Sequence, residues 1–257
     1  MTISARAAAF ERLATIMDEL RAQCPWDRKQ TIESLRHLTI EETHELSDAI
    51  LDQNLPEIKK ELGDILLHIL FYAKLGEEQQ AFDIASVIHA QCDKLIHRHP
   101  HIYGDVKVQD EEDVKRNWEM LKLKEGNKSA LGGVPKSLPA MIKAMRIQEK
   151  ARGVGFDWEK PEQVWEKVEE EMNEFLHESQ QGDEAKAANE FGDLLFALIN
   201  YARFKNINPE ESLERTNRKF IRRFQYLEAA AASSGKLLSD MTLAEMDVYW
   251  NEAKNQE

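Results

Sequence analysis

Residues 41–64 read EETHELSDAILDQNLPEIKKELGD, and residues 170–193 read EEMNEFLHESQQGDEAKAANEFGD. The two stretches carry five acidic residues at identical spacing, and each acid of the second lies 129 residues after its counterpart in the first. The shared acids are Glu41, Glu42, Glu45, Glu61 and Asp64 in the first copy and Glu170, Glu171, Glu174, Glu190 and Asp193 in the second. Because internal repetition signals a repeated structural unit, the chain is predicted to contain two similar domains, each with its own carboxylate cluster.

The spacing of the acids places them on facing sides of a helical hairpin. Within each copy the third acid follows the second by three residues, and the fifth follows the fourth by three, so each pair shares a helix face. In an antiparallel hairpin that turns near Gln53, Glu45 faces Glu61 at one level. Glu42 then faces Asp64 at a second level, roughly 4.5 Å further along the axis. Carboxylates stacked in this way repel one another, and a hard cation such as Mg²⁺, which takes oxygen ligands, offsets the repulsion.

Glycines mark equivalent places in the two copies. The second hairpin is predicted to turn at Gly182. Gly63 and Gly192 occupy matching positions inside a predicted helix, where Gly is about 1 kcal/mol less favourable than Ala. A glycine at such a position predicts close approach of a neighbouring helix or a ligand. Glu61 and Glu190 lead directly into apolar runs, which predicts that both acids lie at the edge of a buried face.

The repeat extends beyond the acids in the same order. A lysine with an arginine four residues later, a tryptophan with a lysine four residues later, and a short aromatic segment with an aspartate all recur. They are Lys94 and Arg98 matching Lys219 and Arg223, Trp118 and Lys122 matching Trp250 and Lys254, and Pro25-Trp26-Asp27 matching Phe156-Asp157-Trp158. Repeated basic residues are typical of phosphate binding, with ordinary surface lysines as the alternative. The two tryptophans either stack on a base or pack between helices.

Apolar residues recur at helical spacing through most of the chain, and no stretch alternates like a half-buried strand, so an all-α fold is predicted. Helices are predicted at 3–22, 32–52, 55–79, 83–98 and 110–125, and at 139–152, 161–180, 184–205, 209–233 and 242–255. Residues 126–138 lie in the segment richest in Gly, Pro and Ser and are the predicted linker. The predicted domains are residues 1–125 and residues 139–257.

The composition excludes several classes of protein. The chain has 257 residues, of which 42% are hydrophobic and 32% charged, as in a globular protein of two domains. A formal net charge of −13 opposes broad contact with nucleic acid. The longest apolar run, residues 65–73, is far shorter than the ~20 residues of a membrane span. Two cysteines without metal-type spacing, Cys24 and Cys92, and an N-terminus unlike a signal peptide predict a cytoplasmic location.

The ordered elements resemble the signature of the MazG family of nucleoside triphosphate pyrophosphohydrolases: Glu-Glu-x-x-Glu, a spacer, Glu-x-x-Asp, and then the Lys/Arg and Trp/Lys elements. Nearly the whole chain is similar to two tandem MazG domains. The resemblance implies all-α domains of the all-α NTP pyrophosphohydrolase type, built around a four-helix bundle that is completed by dimerisation of two copies. It also implies Mg²⁺-dependent hydrolysis of nucleoside triphosphates to monophosphates and pyrophosphate, with Mn²⁺ as a substitute ion, in nucleotide-pool control or house-cleaning.

The resemblance further implies a role for each matched residue. The metal ligands would be Glu171, Glu174, Glu190 and Asp193 in the second copy and Glu42, Glu45, Glu61 and Asp64 in the first. The acids that orient or deprotonate the attacking water would be Glu170 and Glu41. The substrate-binding residues would be Lys219, Arg223, Trp250 and Lys254 in the second copy and Lys94, Arg98, Trp118 and Lys122 in the first.

The two copies differ in the basic residues near their acids. Lys167 and Lys186 flank the second acidic set, whereas Leu38 and Glu57 occupy the matching positions in the first. Because a triphosphate carries several negative charges, basic side chains beside the acids favour its binding. The two lysines therefore join the predicted substrate-binding residues, and the second site is expected to carry most of the activity.

Two other interpretations of the sequence stay open. Glu41-x-x-His44 and Glu174-x-x-His177 resemble the Glu-x-x-His element of di-iron bundles, although they fall at non-equivalent places in the two copies. The three histidines of residues 97–101 are more typical of a polar loop than of a metal site, since the second copy does not repeat them. The second interpretation is a non-catalytic helical binding module whose acids only keep the chain in solution.

Overall fold

The structure is a computed structural model that describes residues 4–110, 113, 114, 117, 118, 121 and 129–256. Every regular element in this described part is a helix, so the predicted all-α class is confirmed. The chain divides into two compact units, Met1–Val108 and Gln109–Glu257, and each unit contains one copy of the acidic pattern. This division falls before the domain end predicted at residue 125, and the predicted boundaries and linker stay a prediction.

The first unit contains two long helices that form the predicted hairpin. Its described helices are α1 (Ala5–Gln23), α2 (Ile32–Leu51), α3 (Leu55–Glu78), α4 (Ile84–Arg98) and the short α5 (Pro100–Tyr103), with a 3₁₀ turn at Asp27–Lys29. The side chains of Thr31, Asn54 and Asp83 accept hydrogen bonds from backbone N–H groups at the starts of α2, α3 and α4. The turn between α2 and α3 includes Gln53, whose φ is +53°. The buried core consists of Met17, Leu35, Leu70, Phe71 and Leu75.

The second unit repeats this hairpin. Its described helices are α6 (Ala140–Gly153), α7 (Pro161–Gln181), α8 (Glu184–Phe204), α9 (Pro209–Ser233) and α10 (Leu243–Lys254), with a 3₁₀ turn at Leu238–Asp240. Gly182 joins α7 to α8 with a φ of +76°, a conformation that glycine adopts without strain. Val168, Leu194 and Ala197 form the buried centre of the hairpin, with Tyr201 packed against them.

The predicted helices agree with the observed ones to within about two residues at each end. The short helix α5 was not predicted. The helix predicted at 110–125 falls largely outside the described residues. Within this range, the described residues 113, 114, 117, 118 and 121 are helical. Within the described part of the chain, no helix is both long enough and apolar enough to cross a membrane.

Each hairpin leaves an apolar stripe exposed on its second helix. The stripes consist of Leu62, Leu66 and Ile69 on α3 and of Phe191, Leu195 and Leu198 on α8. Spacings of three and four residues place each set on one face of its helix, and the two sets are again 129 residues apart. Each of these side chains is at least 37% exposed, which indicates an interaction surface repeated in both units.

The two mid-helix glycines lie in open surroundings. At Gly63 and at Gly192, no described atom outside the glycine, its two chain neighbours and the nearby backbone of its own helix lies within 4 Å of the position that a Cβ atom would take. The close approach of a neighbouring helix that the sequence predicted is therefore not found among the described residues.

Candidate active site

Three carboxylates of the first hairpin converge. Glu42 and Glu45 come from α2 and Glu61 comes from α3, and one oxygen of each lies within 4.8 Å of the others. The convergence follows from the antiparallel packing of α2 and α3, which places residues equally far from the turn opposite each other. We call these three residues the first acidic group.

Glu61 is the most buried member of this group, with 1% of its surface exposed. Its Oε1 accepts a hydrogen bond of 2.9 Å from Nζ of Lys60. Its Oε2 is buried and has no hydrogen-bond donor among the described residues. An unsatisfied buried acceptor costs about 1–3 kcal/mol, and a cation shared with Glu42 and Glu45 would satisfy it. The residues present therefore fit a divalent cation.

The electrostatics of Glu42 show the repulsion within this group. Burial raises the pKa of Glu42 above its ordinary value, and the negative charge of Asp64 is the next largest cause. The charges of Glu45 and Glu61 raise this pKa further. Asp64 thus lies close to the first acidic group, although its oxygens are not among those that converge.

The second hairpin repeats the arrangement. Glu171 and Glu174 on α7 and Glu190 on α8 bring one oxygen each within 4.8 Å of the others, and we call them the second acidic group. Loss of hydration raises the pKa of Glu190, and the charges of Glu174 and Asp193 raise it further. Asp193, like Asp64 in the first unit, lies near its group without joining the converging oxygens.

A lysine contacts the most buried acid of each group, but the two lysines come from different helices. In the second unit, Nζ of Lys167 on α7 lies 2.6 Å from Glu171 and 2.9 Å from Glu170. In the first unit, Nζ of Lys60 on α3 lies 2.9 Å from Glu61. These ion pairs raise the pKa of both lysines, which therefore stay charged.

Lys60 is a site residue that the sequence comparison missed. The position that matches Lys167 in the first copy is Leu38, and the position that matches Lys60 in the second copy is Asn189. Comparing residues that lie 129 positions apart therefore cannot identify Lys60. Its position directly before Glu61 in the sequence was the signal that could have identified it. The expected difference in basic residues between the two sites is smaller than the sequence indicated.

Lys186 lies at the rim of the second acidic group. Its Nζ is 3.3 Å from Asp183 and 3.9 Å from Glu178. The charge of Glu178 contributes to the raised pKa of Glu190, so Glu178 lies near the second acidic group. Lys186 is linked to the group by its contact with Glu178. An open depression at this rim is lined by Asn173, Glu174, His177, Glu178 and Glu190.

The two acids predicted to orient water lie outside the converging oxygens. Glu170 has a side chain that is 56% exposed and is paired with Lys167. Glu41 is exposed and directly precedes Glu42 on α2. Each acid is thus the sequence neighbour of a group member, and its catalytic role stays a prediction.

Two of the predicted substrate-binding residues, Arg223 on α9 and Trp250 on α10, lie side by side. The guanidinium carbon of Arg223 lies 5.8 Å from the ring centre of Trp250, and the ring of Phe220 lies 5.0 Å from it. Lys219 precedes Arg223 by one turn of α9, and Lys254 follows Trp250 by one turn of α10. Trp250 therefore packs between helices, and the roles of these residues toward a substrate stay predictions.

The counterparts proposed for the first site are only partly described. Lys94 and Arg98 lie on α4, and Nζ of Lys94 is 3.4 Å from the side-chain oxygen of Gln91. Trp118 is helical, partly buried and grouped with the second unit. Lys122 lies outside the described residues, and the roles of all four residues stay predictions.

Histidines do not join either acidic group in the described part of the chain. Nδ1 of His99 donates a hydrogen bond of 2.7 Å to the carbonyl of Leu95, and its ring centre lies 5.5 Å from that of His101. Among the described residues, only the two acidic groups bring three candidate metal ligands together. His44 and His177, on which the di-iron interpretation depends, are exposed and lie outside both groups.

Known proteins are similar to this chain over nearly its whole length. The family model described as the MazG nucleotide pyrophosphohydrolase domain matches residues 30–103 and 159–227. The nucleoside triphosphate pyrophosphohydrolase/pyrophosphatase MazG of Thermotoga maritima is 43% identical over 250 residues, which cover 95% of each chain. The nucleoside triphosphate pyrophosphohydrolase of Escherichia coli K12 is 39% identical over 257 residues, covering 96% of this chain and 98% of that protein.

A third relative shares only part of its length with this chain. The uncharacterized protein YabN of Bacillus subtilis is 50% identical over 254 residues, covering 96% of this chain and 52% of that protein. Each family match in this chain contains one of the two acidic groups, and together the matches span more than half of the residues. The chain therefore belongs to the MazG family and contains the MazG nucleotide pyrophosphohydrolase domain twice.

Proposed function

We propose that the protein hydrolyses nucleoside triphosphates to nucleoside monophosphates and pyrophosphate, with Mg²⁺ as the cofactor and Mn²⁺ as a substitute. The observation that carries the metal assignment is the convergence of three carboxylates in each unit. The buried Oε2 of Glu61, which has no hydrogen-bond donor among the described residues, supports it. Membership of the MazG family and full-length similarity to the named pyrophosphohydrolases of Thermotoga maritima and Escherichia coli support the reaction class.

The donor set is suited to a hard cation, because every candidate ligand is a carboxylate oxygen. The proposed ligands are Glu42, Glu45, Glu61 and Asp64 in the first unit and Glu171, Glu174, Glu190 and Asp193 in the second. A cation bound there supplies Lewis-acid chemistry, polarising a phosphoryl oxygen and lowering the pKa of a bound water.

Glu170 and Glu41 are proposed to orient the attacking water and to accept its proton. Each is adjacent in sequence to a member of an acidic group and has an exposed carboxylate. A general base needs a carboxylate within hydrogen-bond reach of the water that it deprotonates. In the second unit, Lys167 bridges Glu170 and Glu171, which places a positive charge between the proposed base and a proposed ligand.

Basic side chains are needed because the acids repel the negatively charged substrate. Charge-assisted hydrogen bonds from lysine and arginine to phosphate oxygens offset this repulsion and stabilise charge that develops in the transition state. The residues proposed for this role are Lys167, Lys186, Lys219, Arg223 and Lys254 in the second site and Lys60, Lys94, Arg98 and Lys122 in the first. Trp250 and Trp118 are proposed to close the two sites over the substrate.

A homodimer is part of the proposal. The apolar stripes of α3 and α8 are exposed in a single chain. When two such hairpins pack face to face they form a four-helix bundle, and the stripes become its core. We therefore propose that a second copy of the chain covers them.

Product analysis tests the proposed reaction. Purified full-length protein is incubated with a panel of canonical, deoxy and damaged nucleoside triphosphates, in Mg²⁺ and in EDTA. We expect monophosphate and pyrophosphate in Mg²⁺ and neither product in EDTA. Release of orthophosphate and a diphosphate would exclude the pyrophosphohydrolase reaction. Nucleotide binding without turnover would favour the binding module, and iron uptake without turnover would favour the di-iron interpretation.

We also propose a cellular role. A cytoplasmic enzyme with this reaction would remove selected triphosphates from the nucleotide pool, which is the proposed house-cleaning role. The same panel of triphosphates reports which base and sugar the protein prefers.

A further inference from the structure

The two acidic groups differ in how their most buried acid is satisfied. Glu61 is 1% exposed, and its Oε1 is paired with Lys60 while its buried Oε2 has no hydrogen-bond donor among the described residues. Glu171, the most buried member of the second group, pairs with Nζ of Lys167 at 2.6 Å and has no such buried, unpaired oxygen in the described part of the chain. Glu190, the counterpart of Glu61, is only partly buried. The first group therefore has a buried acceptor that still needs a partner.

The rims of the two groups differ in charge at a position that the fold makes equivalent. Glu57 is the third residue of α3, and its backbone N–H donates to the side chain of Asn54, 3.3 Å away. Lys186 is the third residue of α8, and its backbone N–H donates to the side chain of Asp183, 3.1 Å away. The same place at the start of the second hairpin helix therefore carries a negative charge in the first unit and a positive charge in the second.

A second rim position differs in the same direction. His177 lines the depression beside the second acidic group, and the matching residue of the first copy is the exposed Asp48. One lysine pairs with the buried acid of each group, so the two rim positions decide the difference in charge. The more negative rim of the first group favours a cation and disfavours a triphosphate.

We propose that the first acidic group holds its divalent cation in the absence of a nucleotide, whereas the second group takes its cation mainly together with the triphosphate. The inference rests on the proposed function, in which both groups bind a cation and the second carries most of the activity. It adds that the ion of the first group is a resident, structural ion.

The contacts give a physical reason for each behaviour. At the first group a cation supplies the missing partner of Oε2 of Glu61, and this gain needs no substrate. At the second group Lys167 already pairs with Glu171, so a cation without substrate gains less. Mg²⁺ is commonly bound by one or two carboxylates together with substrate phosphates, and a triphosphate would supply such oxygens there.

A resident ion at the first group would join the two helices of the first hairpin. Glu42 and Glu45 belong to α2 and Glu61 belongs to α3, and one oxygen of each lies within 4.8 Å of the others. An ion that binds only the folded protein stabilises it by mass action. The first unit is thereby stabilised by the metal alone, and the second unit is the one in which a triphosphate adds to cation binding.

Titration with Mn²⁺ alone tests the first half of the proposal. Full-length Glu190→Gln protein reports on the first group, full-length Glu61→Gln protein reports on the second, and free Mn²⁺ is followed by electron paramagnetic resonance. Mn²⁺ is expected to bind the Glu190→Gln protein about 10-fold more tightly than the Glu61→Gln protein, because only the first group has a buried acceptor to satisfy. Circular dichroism melting confirms that both proteins are folded.

Binding of a nucleotide tests the second half. The probe is α,β-methylene-ATP, which the proposed reaction cannot cleave, or the same analogue of another triphosphate if the wild-type protein hydrolyses that one faster. It is applied at saturating Mn²⁺ in equilibrium dialysis. We expect the analogue to bind the Glu61→Gln protein at least about 10-fold more tightly than the Glu190→Gln protein, which is the size of one charge-assisted contact.

Exchanging the rim charges tests the reason for this difference. Glu57→Lys, made in the Glu190→Gln protein, is expected to strengthen binding of the analogue at the first group by about 10-fold. Lys186→Glu, made in the Glu61→Gln protein, is expected to weaken it at the second group by a similar factor.

Glu33→Lys is the matched control, because it changes the net charge as Glu57→Lys does. Glu33 lies nine residues before Glu42 on α2, roughly 13 Å along the helix. This separation exceeds the Debye length of about 8 Å at physiological ionic strength, so binding of the analogue is expected to stay within about two-fold.

Three results would overturn the proposal. Equal Mn²⁺ affinities of the two proteins, or no Mn²⁺ at the first group, would remove the resident ion. Equal binding of the analogue would make the first group a second substrate site. Rim exchanges that leave binding of the analogue unchanged would remove the argument from charge. Pyrophosphate release by the wild-type protein is measured beside each test, so that a failure of the proposed reaction is recognised separately.

Discussion

Glu61→Gln is expected to make the metal-free protein more stable and to abolish the stabilisation that a cation provides at the first group. Glu61 is 1% exposed, and its Oε2 has no hydrogen-bond donor among the described residues. Glutamine removes one negative charge and can place a side-chain N–H where Oε2 lies. Glu42 has an oxygen within 4.8 Å of an oxygen of Glu61, so a small side-chain rotation would bring the new N–H within hydrogen-bond reach of the Glu42 carboxylate.

The size of the effect follows from four contributions. Relief of an unsatisfied buried acceptor is worth about 1–3 kcal/mol, and a hydrogen bond to a charged group is worth about 1.5–3 kcal/mol. The change also loses the ion pair with Lys60, whose side chain is 59% exposed. Because water screens the exposed Nζ of Lys60, this loss offsets only part of the gain. Because burying the new amide offsets part of the gain, we expect a net increase of about 1–3 kcal/mol in the free energy of unfolding.

Urea unfolding measures this change. The reference protein carries Glu190→Gln, and the variant carries Glu190→Gln and Glu61→Gln. The shared change weakens the second group, so that added Mn²⁺ reports on the first. In EDTA, the Glu61→Gln protein is expected to unfold at a higher urea concentration. Mn²⁺ at about 100 times its dissociation constant should stabilise the reference protein by about 2.7 kcal/mol, and should have little effect on the variant.

Glu57→Gln is the matched control. Glu57 also pairs with Lys60, at 2.9 Å, but it lies outside the first acidic group. This exposed change is expected to alter stability by no more than about 0.5 kcal/mol and to keep the full effect of Mn²⁺. A Glu61→Gln protein that is less stable in EDTA and keeps its response to Mn²⁺ would refute the reasoning, because Lys60 alone would then satisfy the buried carboxylate.

Three further predictions follow from the two sites and the stripes. The pKa of Glu42 is raised above its ordinary 4.5, so the folded protein binds this proton more tightly than the unfolded chain does. The free energy of unfolding in EDTA is therefore expected to decrease as pH rises from 4.5 through the raised value. Glu42→Gln should remove this decrease in urea unfolding, and an unchanged dependence on pH would contradict the prediction. Glu174→Gln is expected to abolish most pyrophosphate release and Glu45→Gln to leave most of it, since Lys167 and Lys186 flank the second acidic set and Lys60 pairs with the first; equal losses would mean that the first site contributes as much. Leu66→Glu and Leu195→Glu place a charge in an apolar stripe and should convert the proposed homodimer to monomer in light scattering, whereas an unchanged dimer mass would place the interface elsewhere.

Most of the fold was predictable because its signals are local. The caps Asn54 and Asn208 accept hydrogen bonds from the first turns of α3 and α9, and Gly182 adopts the positive φ that its turn requires. Helix α5 was not predicted, because a proline just after the helix predicted at 83–98 is also typical of a helix end. Proline is also favoured in the first turn of a helix, and Pro100 begins α5.

The acidic groups were predictable in part. Counting residues from the turns correctly placed Glu45 opposite Glu61, and the repeat extended that result to the second unit. The count also placed Glu42 opposite Asp64, and the charge of Asp64 is the largest one that raises the pKa of Glu42, although the Asp64 oxygens do not converge with those of the first acidic group. A count gives the level of a residue along the hairpin, but the direction of a short side chain depends on the packing around it.

Two copies of an all-α unit, each with a hairpin that carries five acids, could be predicted from the residues alone, because helix periodicity, caps and turn residues act over a few residues. The packing of the helices shows which oxygens converge, that Oε2 of Glu61 is buried without a described donor, and that Lys60 on the opposite helix takes the place of Lys167. It also brings His68 and Thr39 into contact. These features depend on how closely α2 and α3 pack and on which side chains this packing removes from water, and no local pattern in the sequence specifies either.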